Sequence, residues 1–250
     1  MLGRSSRSTR LPPFIIVGQE RSGTTLMQTL LSSHPDVHCR GELLDPWQID
    51  DDGQKTKDKD AIFARETDID GFLREKLSGR DLRRSIPKLL GFKLLTHHNP
   101  DAVLRVIPQN PEWRILHVRR QNKLAQFSSR QQVNKSGRWT SQDEGHEAPL
   151  IEVAPKWAAA QCNSLRLEDE LLHIYLKKIP NPVHTVHYTE LHQLEIHRSI
   201  LTFLGVNPDV RLQSSLKKQG QAQILSRFGN SDEIAEHFIG LGLESWLYDG

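Results

Sequence analysis

Phe14-Ile15-Ile16-Val17 is an unbroken apolar run, rich in β-branched residues, that ends at Gly18. A short run with no polar alternation predicts a strand buried on both faces, as in a parallel sheet. At Thr24 the period changes. Leu26, Met27, Leu30 and Leu31 fall at helical spacing, and His34-Pro35-Asp36 stops that helix. The same alternation continues down the chain. Phe92 to Leu95 after Gly91 predicts a second strand, and Ala102, Val103, Val106 and Ile107 a helix before Pro108. Ile115 to Val118 predicts a third strand, followed by a helix over 122–133. A long helix is expected over 155–178, a fourth strand over 183–187, a helix over 191–204 closing at Gly205, and a last helix near 234–239. Two stretches lack a period. The segment 50–60 is almost wholly polar and reads as a mobile surface insert or lid, with a short helix marked by Phe72, Leu73 and Leu77 beyond it; 134–153 reads as a long loop. Strands alternating with helices predict an α/β fold with a doubly wound, mostly parallel central sheet flanked by helices. No repeat of 20–50 residues is present.

Composition narrows the class. The 250 residues are 36% hydrophobic and 26% charged, too apolar for a disordered chain. They suffice for one α/β domain over 14–250, with a polar insert at about 46–86 and a flexible basic lead-in over 1–13 that carries Arg4, Arg7 and Arg10. A net charge of +2 offers no bulk attraction for nucleic acid. Two cysteines, Cys39 and Cys162, make neither a disulfide framework nor a metal-ligand spacing and read as free thiols. No apolar run reaches the ~18–20 residues of a membrane span, and no signal-peptide core precedes Pro12-Pro13. A soluble, cytoplasmic protein is expected.

The chemistry lies where the first strand meets its helix. Gly18-Gln19-Glu20-Arg21-Ser22-Gly23-Thr24-Thr25 has the spacing of a phosphate-binding loop. Successive backbone amides and the positive end of the following helix face one point there, and glycine admits close approach of an anion. In nucleotide hydrolases and kinases the position of Thr24 holds a lysine, and a strand-end aspartate helps to hold magnesium. Here the cation is Arg21, within the loop, and no metal carboxylate is placed to serve. Such a loop suits a single anionic group bound without metal, and a sulfuryl donor fits. The alternative is a lysine-less P-loop nucleotide-binding protein or kinase.

The run Arg21 to Met27, then His34-Pro35-Asp36-Val37 and Gly41-Glu42, resembles the 5′-phosphosulfate loop of the sulfotransferases that use 3′-phosphoadenosine-5′-phosphosulfate (PAPS). The tyrosylprotein and Golgi carbohydrate branches carry a very similar string, and a bacterial carbohydrate branch a looser one. The resemblance is strongest over 14–42, clear over 113–131, weaker over 154–206, and does not cover the insert. It implies PAPS as donor, adenosine 3′,5′-bisphosphate (PAP) as product and no metal. It also implies that Arg21, Ser22, Gly23, Thr24 and Thr25 hold the 5′-phosphosulfate. A 3′-phosphate would take an arginine at a strand end and a serine eight or nine residues on. Arg119 or Arg120, with Ser128 or Ser129, meet that requirement; the Arg-x-Asn-Lys run points to Arg120 and Ser129, while spacing alone leaves the choice open. Glu42 stands where relatives place the proposed base, with one extra residue, Arg40, before Gly41. His97 and His98 are rival bases, and Lys93 brings an amine to the substrate mouth. Tyr188-Thr189-Glu190-Leu191 and Phe203-Leu204-Gly205-Val206 resemble family strings and read as packing and capping; Trp157 reads as core. Lys217 and Lys218 read equally as a late phosphate clamp or a solvated pair. The expected acceptor is a glycan or another small hydroxylated metabolite, with a tyrosine side chain second, bound between the insert and the 134–153 loop.

Overall fold

The computed structural model describes residues 10–82, 87–137, 148–214, 216 and 223–248. Five strands form one parallel sheet: β1 (Phe14–Gly18), β2 (Val37–Arg40), β5 (Leu89–Leu95), β6 (Arg114–Arg119) and β7 (Val183–His187), in the order β2-β5-β1-β6-β7. Helices α1 (Thr24–Ser32), α4 (Lys123–Ser136), α5 (Pro155–Leu176), α6 (Leu194–Leu204) and α7 (Ser231–Gly240) complete the main body. This is the α/β sheet that the alternation of elements predicts.

Every residue of β1 is buried because both faces of the sheet are covered. Ile15 and Val17 point to one side, where Phe92, Leu94 and Ile115 join them under Leu176 of α5. Phe14 and Ile16 point to the other, where Met27 and Leu31 of α1 and Ile200, Leu201 and Leu204 of α6 pack. Alternate side chains of one strand thus feed two cores, the physical reason for its unbroken apolar run. A third cluster joins Leu124 and Phe127 of α4 to Cys162 and Leu165 of α5 and Ile234 and Phe238 of α7. Both cysteines are buried free thiols, and burial pushes the Cys162 thiol up to about 12. No helix among the described residues is long and apolar enough to cross a membrane.

Several expectations change. The segment read as a patternless, mobile insert is ordered. β3 (Ile49–Asp51) and β4 (Gln54–Thr56) form a hairpin that turns through Asp52 and Gly53, both at positive φ. Asp-Gly is a strong two-residue hairpin signal, but the strands beside it are short and polar. α2 (Lys59–Thr67) and α3 (Ile69–Ser78) follow, N-capped by Asp58 and Asp68. Two buried arginines fasten this region. Arg40, 2% exposed, pairs with Asp51 and, at 2.6 Å, with Asp81. Arg65, 1% exposed, faces three backbone carbonyls of the 43–48 loop. Arginines of this kind carry no apolar period, so pattern reading passes over them. β2 was also missed, because a four-residue edge strand with His38 and Arg40 in it shows no apolar run. The helix expected over 102–107 is a single wide turn, Ala102–Val106, closed by Ile107 N–H donating to the Ala102 carbonyl at 3.0 Å. α6 starts at Leu194, after a tight turn over Tyr188–Glu190. In the long loop, α4 runs on to Ser136 and Ile151 bridges to Phe228; residues 138–147 lie outside the described set.

Candidate active site

Strand register gathers the site. Gly18 at the end of β1 lies opposite Leu95 on β5 and Val118 on β6. The next residues of all three strands therefore emerge together: the loop 19–23, the turn Thr96-His97-His98, and Arg119-Arg120. Thr96 N–H donates to the Gly18 carbonyl at 3.1 Å. The connections diverge to either side of β1, which is where open α/β sheets bind ligands.

The loop has an unusual backbone. Arg21 has φ +59° and Gly23 φ +106°. A non-glycine residue held there costs on the order of 1–3 kcal/mol, strain found most often at functional sites. A Cβ on Gly23 would sit 2.6 Å from the Tyr188 ring, and one on Gly18 2.7 Å from Ser22 Oγ. α1 is preceded by Gly23 as its N-cap, so it has no capping side chain, and its first turn has no acidic residue. By contrast, Asp58, Asp68 and Asn122 cap α2, α3 and α4. The first-turn amides of α1 have no intrahelical acceptor and carry the positive end of the helix dipole. Ser22 Oγ is buried, in a residue 1% exposed, with no hydrogen-bond partner among the described residues. A hydroxyl stranded this way carries a desolvation penalty that an incoming oxygen acceptor removes.

Two arginines converge on the loop. Arg21 Nε donates to Ser129 Oγ at 2.9 Å. Burial pulls the Arg21 pKa down, and Tyr188 and Glu20 oppose that. Arg120 Nη1 donates to the Arg21 carbonyl at 3.3 Å, with its guanidinium 4.5 Å over the Tyr188 ring. Their sequence neighbours turn elsewhere. Arg119 donates to Asp169 at 3.0 and 2.7 Å and to Glu170 at 2.6 Å. Ser128, fully buried, donates to the Ala125 carbonyl at 3.2 Å and accepts from Arg227 Nη1 at 3.1 Å. Adjacent residues at a strand end point to opposite sides and adjacent residues of a helix are swung about 100° apart, so Arg120 and Ser129 meet the loop while Arg119 and Ser128 do not. Lys217 and Lys218 lie outside the described residues.

On the other flank, Lys93 of β5 is 7% exposed and joins the loop's helix to Glu42. Its Nζ lies 3.0 Å from Thr25 Oγ1 and 2.9 Å from Glu42 Oε1. Glu42, Asp45 and His98 bring one ligand atom each to within 4.8 Å of one another, a grouping able to hold a cation. His97 Nε2 lies 3.2 Å from Glu20 Oε1. That hydrogen bond raises the His97 pKa and lowers that of Glu20.

Behind the loop is a buried polar network. Lys123 Nζ reaches Gln19 Oε1 at 3.4 Å, Gln126 Oε1 at 3.2 Å and Asp169 Oδ2 at 3.2 Å. Gln126 Nε2 donates to the Glu20 carbonyl at 2.8 Å. His117 is fully buried next to it, stacked on His173 and 4.0 Å from Asp169. Burial depresses its pKa to about 3, against Asp169, which pulls it up. An unfolded histidine titrates near 6.5, so the unfolded chain binds the proton first and stability falls as pH drops from about 6.5 towards 3. His117→Leu is expected to flatten that acid limb in urea unfolding measured from pH 7 to 4. An unchanged slope would remove His117 from the account.

Tyr188, Lys123 and Arg227 border the site but were not read as functional. For Tyr188 the sequence offers one signal: it is the first residue after the strand expected over 183–187, at a carboxyl end. β7 aligns Val186 with Val118 and His187 with Arg119, so the next residue emerges beside Arg120.

Comparison with known proteins places the chain in a family. A profile described as "Sulfotransferase family" matches residues 12–209. No curated protein sequence matches the chain. Among solved structures, a sulfotransferase from Alicyclobacillus acidocaldarius aligns with a TM-score of 0.52 at 17% identity, covering 96% of each chain. A sulfotransferase domain from the curacin biosynthetic pathway aligns at 0.45 and 16%, covering 95% of this chain and 90% of that one. The mouse sulfotransferase SULT7A1 complexed with PAP aligns at 0.42 and 15%, covering 81% of this chain and 60% of that one. The profile match takes in the loop 19–23, both strand-end arginines and the Tyr188 turn, and runs through most of the chain: this protein belongs to the sulfotransferase family.

Proposed function

We propose that the protein transfers a sulfuryl group from PAPS to an acceptor hydroxyl and releases PAP. The observation that carries this reading is the uncapped start of α1, with Ser22 Oγ buried and without a partner among the described residues, and with the loop's cation at Arg21 while Thr24 stands where a nucleotide hydrolase has lysine. PAPS would supply the electrophilic sulfur and its phosphate leaving group. Arg21, the loop amides and the hydroxyls of Ser22, Thr24 and Thr25 would hold the 5′-phosphosulfate oxygens and stabilise charge developing on the departing phosphate. Gly23 would let the backbone approach. Arg120 and Ser129 would hold the 3′-phosphate, a guanidinium and a hydroxyl fixed by one strand-helix joint. Ser128 would support that helix from behind. Glu42 would take the acceptor proton, and Lys93 would hold both Glu42 and Thr25 in place. The acceptor class favoured is a carbohydrate or a small hydroxylated metabolite.

Nucleotide binding tests it. PAP at ~100 times its Kd should stabilise the fold by roughly 2.7 kcal/mol in a thermal-shift series, while ATP with magnesium should do less. Arg120→Ala should weaken PAP about tenfold to a hundredfold, the loss of a charged hydrogen bond. Arg119→Ala should lower the melting temperature and leave PAP affinity near wild type. Stabilisation by ATP and magnesium but not by PAP would favour the kinase-like alternative.

A further inference from the structure

The acceptor side of the site is held by a residue from the segment with least apolar pattern. Arg65 is the one buried residue of α2, a helix that otherwise packs only through the half-buried Ala61 and Ile62. Its Nη1 faces the carbonyls of Leu43 and Asp45 at 2.9 Å each and of Gln48 at 3.2 Å. Its Nε donates to Glu66 Oε1 at 3.0 Å. The other oxygen of Glu66 accepts from Asn99 Nδ2 at 2.9 Å, and Asn99 Oδ1 caps the turn after it through Ala102 N–H, also at 2.9 Å. One guanidinium therefore ties two segments. The first starts immediately after Glu42 and contains Asp45. The second follows His97 and His98. The carbonyls of this irregular loop need donors once buried, and a guanidinium offers five in a rigid fork that lysine cannot reproduce.

We propose that Arg65 is a positioning residue for the transfer reaction: it sets the loop that carries Glu42 and couples that loop, through Glu66 and Asn99, to the His97-His98 turn. The inference rests on the reading of Glu42 as proton acceptor. It turns the insert from a surface appendage into a strut of the acceptor wall, remote from the nucleotide.

Arg65→Met keeps most of the stem and removes the donors; Arg65→Lys keeps the charge; Asn99→Ala cuts the weaker link and spares the carbonyl contacts. Three readouts are needed on each variant: PAP affinity by calorimetry, sulfate release from PAPS with water as acceptor across pH, and amide exchange over 43–50. Arg65→Met is expected to bind PAP within about threefold of wild type while its release rate falls about 10²-fold, the scale of an ångström-level misplacement. The acid limb that Glu42→Gln removes should vanish in Arg65→Met as well. Arg65→Lys and Asn99→Ala should fall between. Wild-type release rate and pH profile in Arg65→Met would overturn the inference alone, as would PAP affinity falling in step with rate, which marks plain loss of fold. A wild-type chain that binds no PAP would overturn the functional reading and this inference together.

Discussion

Arg21→Ala is expected to slow sulfuryl transfer by roughly 10²–10³-fold, the usual cost of removing one well-placed donor from a developing charge. Arg21 is a charged residue of the loop that touches the opposite helix, through Ser129. It links the 5′ side of the site to α4, which carries the proposed 3′-phosphate serine. Its backbone sits at φ +59°, so the residue is held there by the loop's shape rather than by its own preference. Alanine at the same φ keeps that strain, and the fold should lose little more than one partly exposed side chain. Melting temperature should move by a few degrees while turnover collapses. Arg21→Lys should recover only part of the rate, because an ammonium restores charge without the planar fork. Near-normal turnover in Arg21→Ala, measured with saturating PAPS, would contradict the assignment of the loop.

Glu42→Gln is the second large effect, expected at roughly 10²–10⁴-fold in rate, the range for a general base. The amide is isosteric and can still accept from Lys93, now 2.9 Å away, so the wall between Lys93 and Thr25 should stay intact. The capacity to take a proton is lost, together with the negative charge beside Lys93. PAP affinity should therefore match wild type while the rate falls, a split that separates chemistry from binding. The rivals are tested alongside. His97 is engaged by Glu20 and His98 lies against Glu42 and Asp45. A full rate in Glu42→Gln with a collapse in His97→Gln or His98→Gln would move the base to the turn after β5.

Local chemistry was legible wherever one segment carried it. The apolar run of β1, the glycines and Arg21 of the loop, and the helical spacing of α1 are contiguous in the chain, so strand, turn and helix could be read as one unit. The same holds for β6 and α4. Elements built from polar residues were not legible as elements, although some of their local signals were present. Asp52-Gly53 and Asp58 mark a hairpin and a helix start, but the one buried residue of α2 is Arg65, and a buried cation leaves no periodic trace; α3, which buries Ile69, Leu73 and Leu77, is the short helix that Phe72, Leu73 and Leu77 predict.

What the amino-acid order determined by itself, then, is the alternating α/β plan, the glycine loop after β1 and the set of candidate residues around it. Only the tertiary structure decided which of each adjacent pair faces that loop. Arg119 against Arg120 and Ser128 against Ser129 differ by one step along a strand end or a helix, and one step reverses or swings the side chain. Asp169 and Glu170 on α5, fifty residues away in sequence, engage Arg119 and leave Arg120 towards the loop. Arg227, from beyond the last strand, meets Ser128 and leaves Ser129 to Arg21. Those choices depend on partners that are distant along the chain and adjacent only once the sheet has closed.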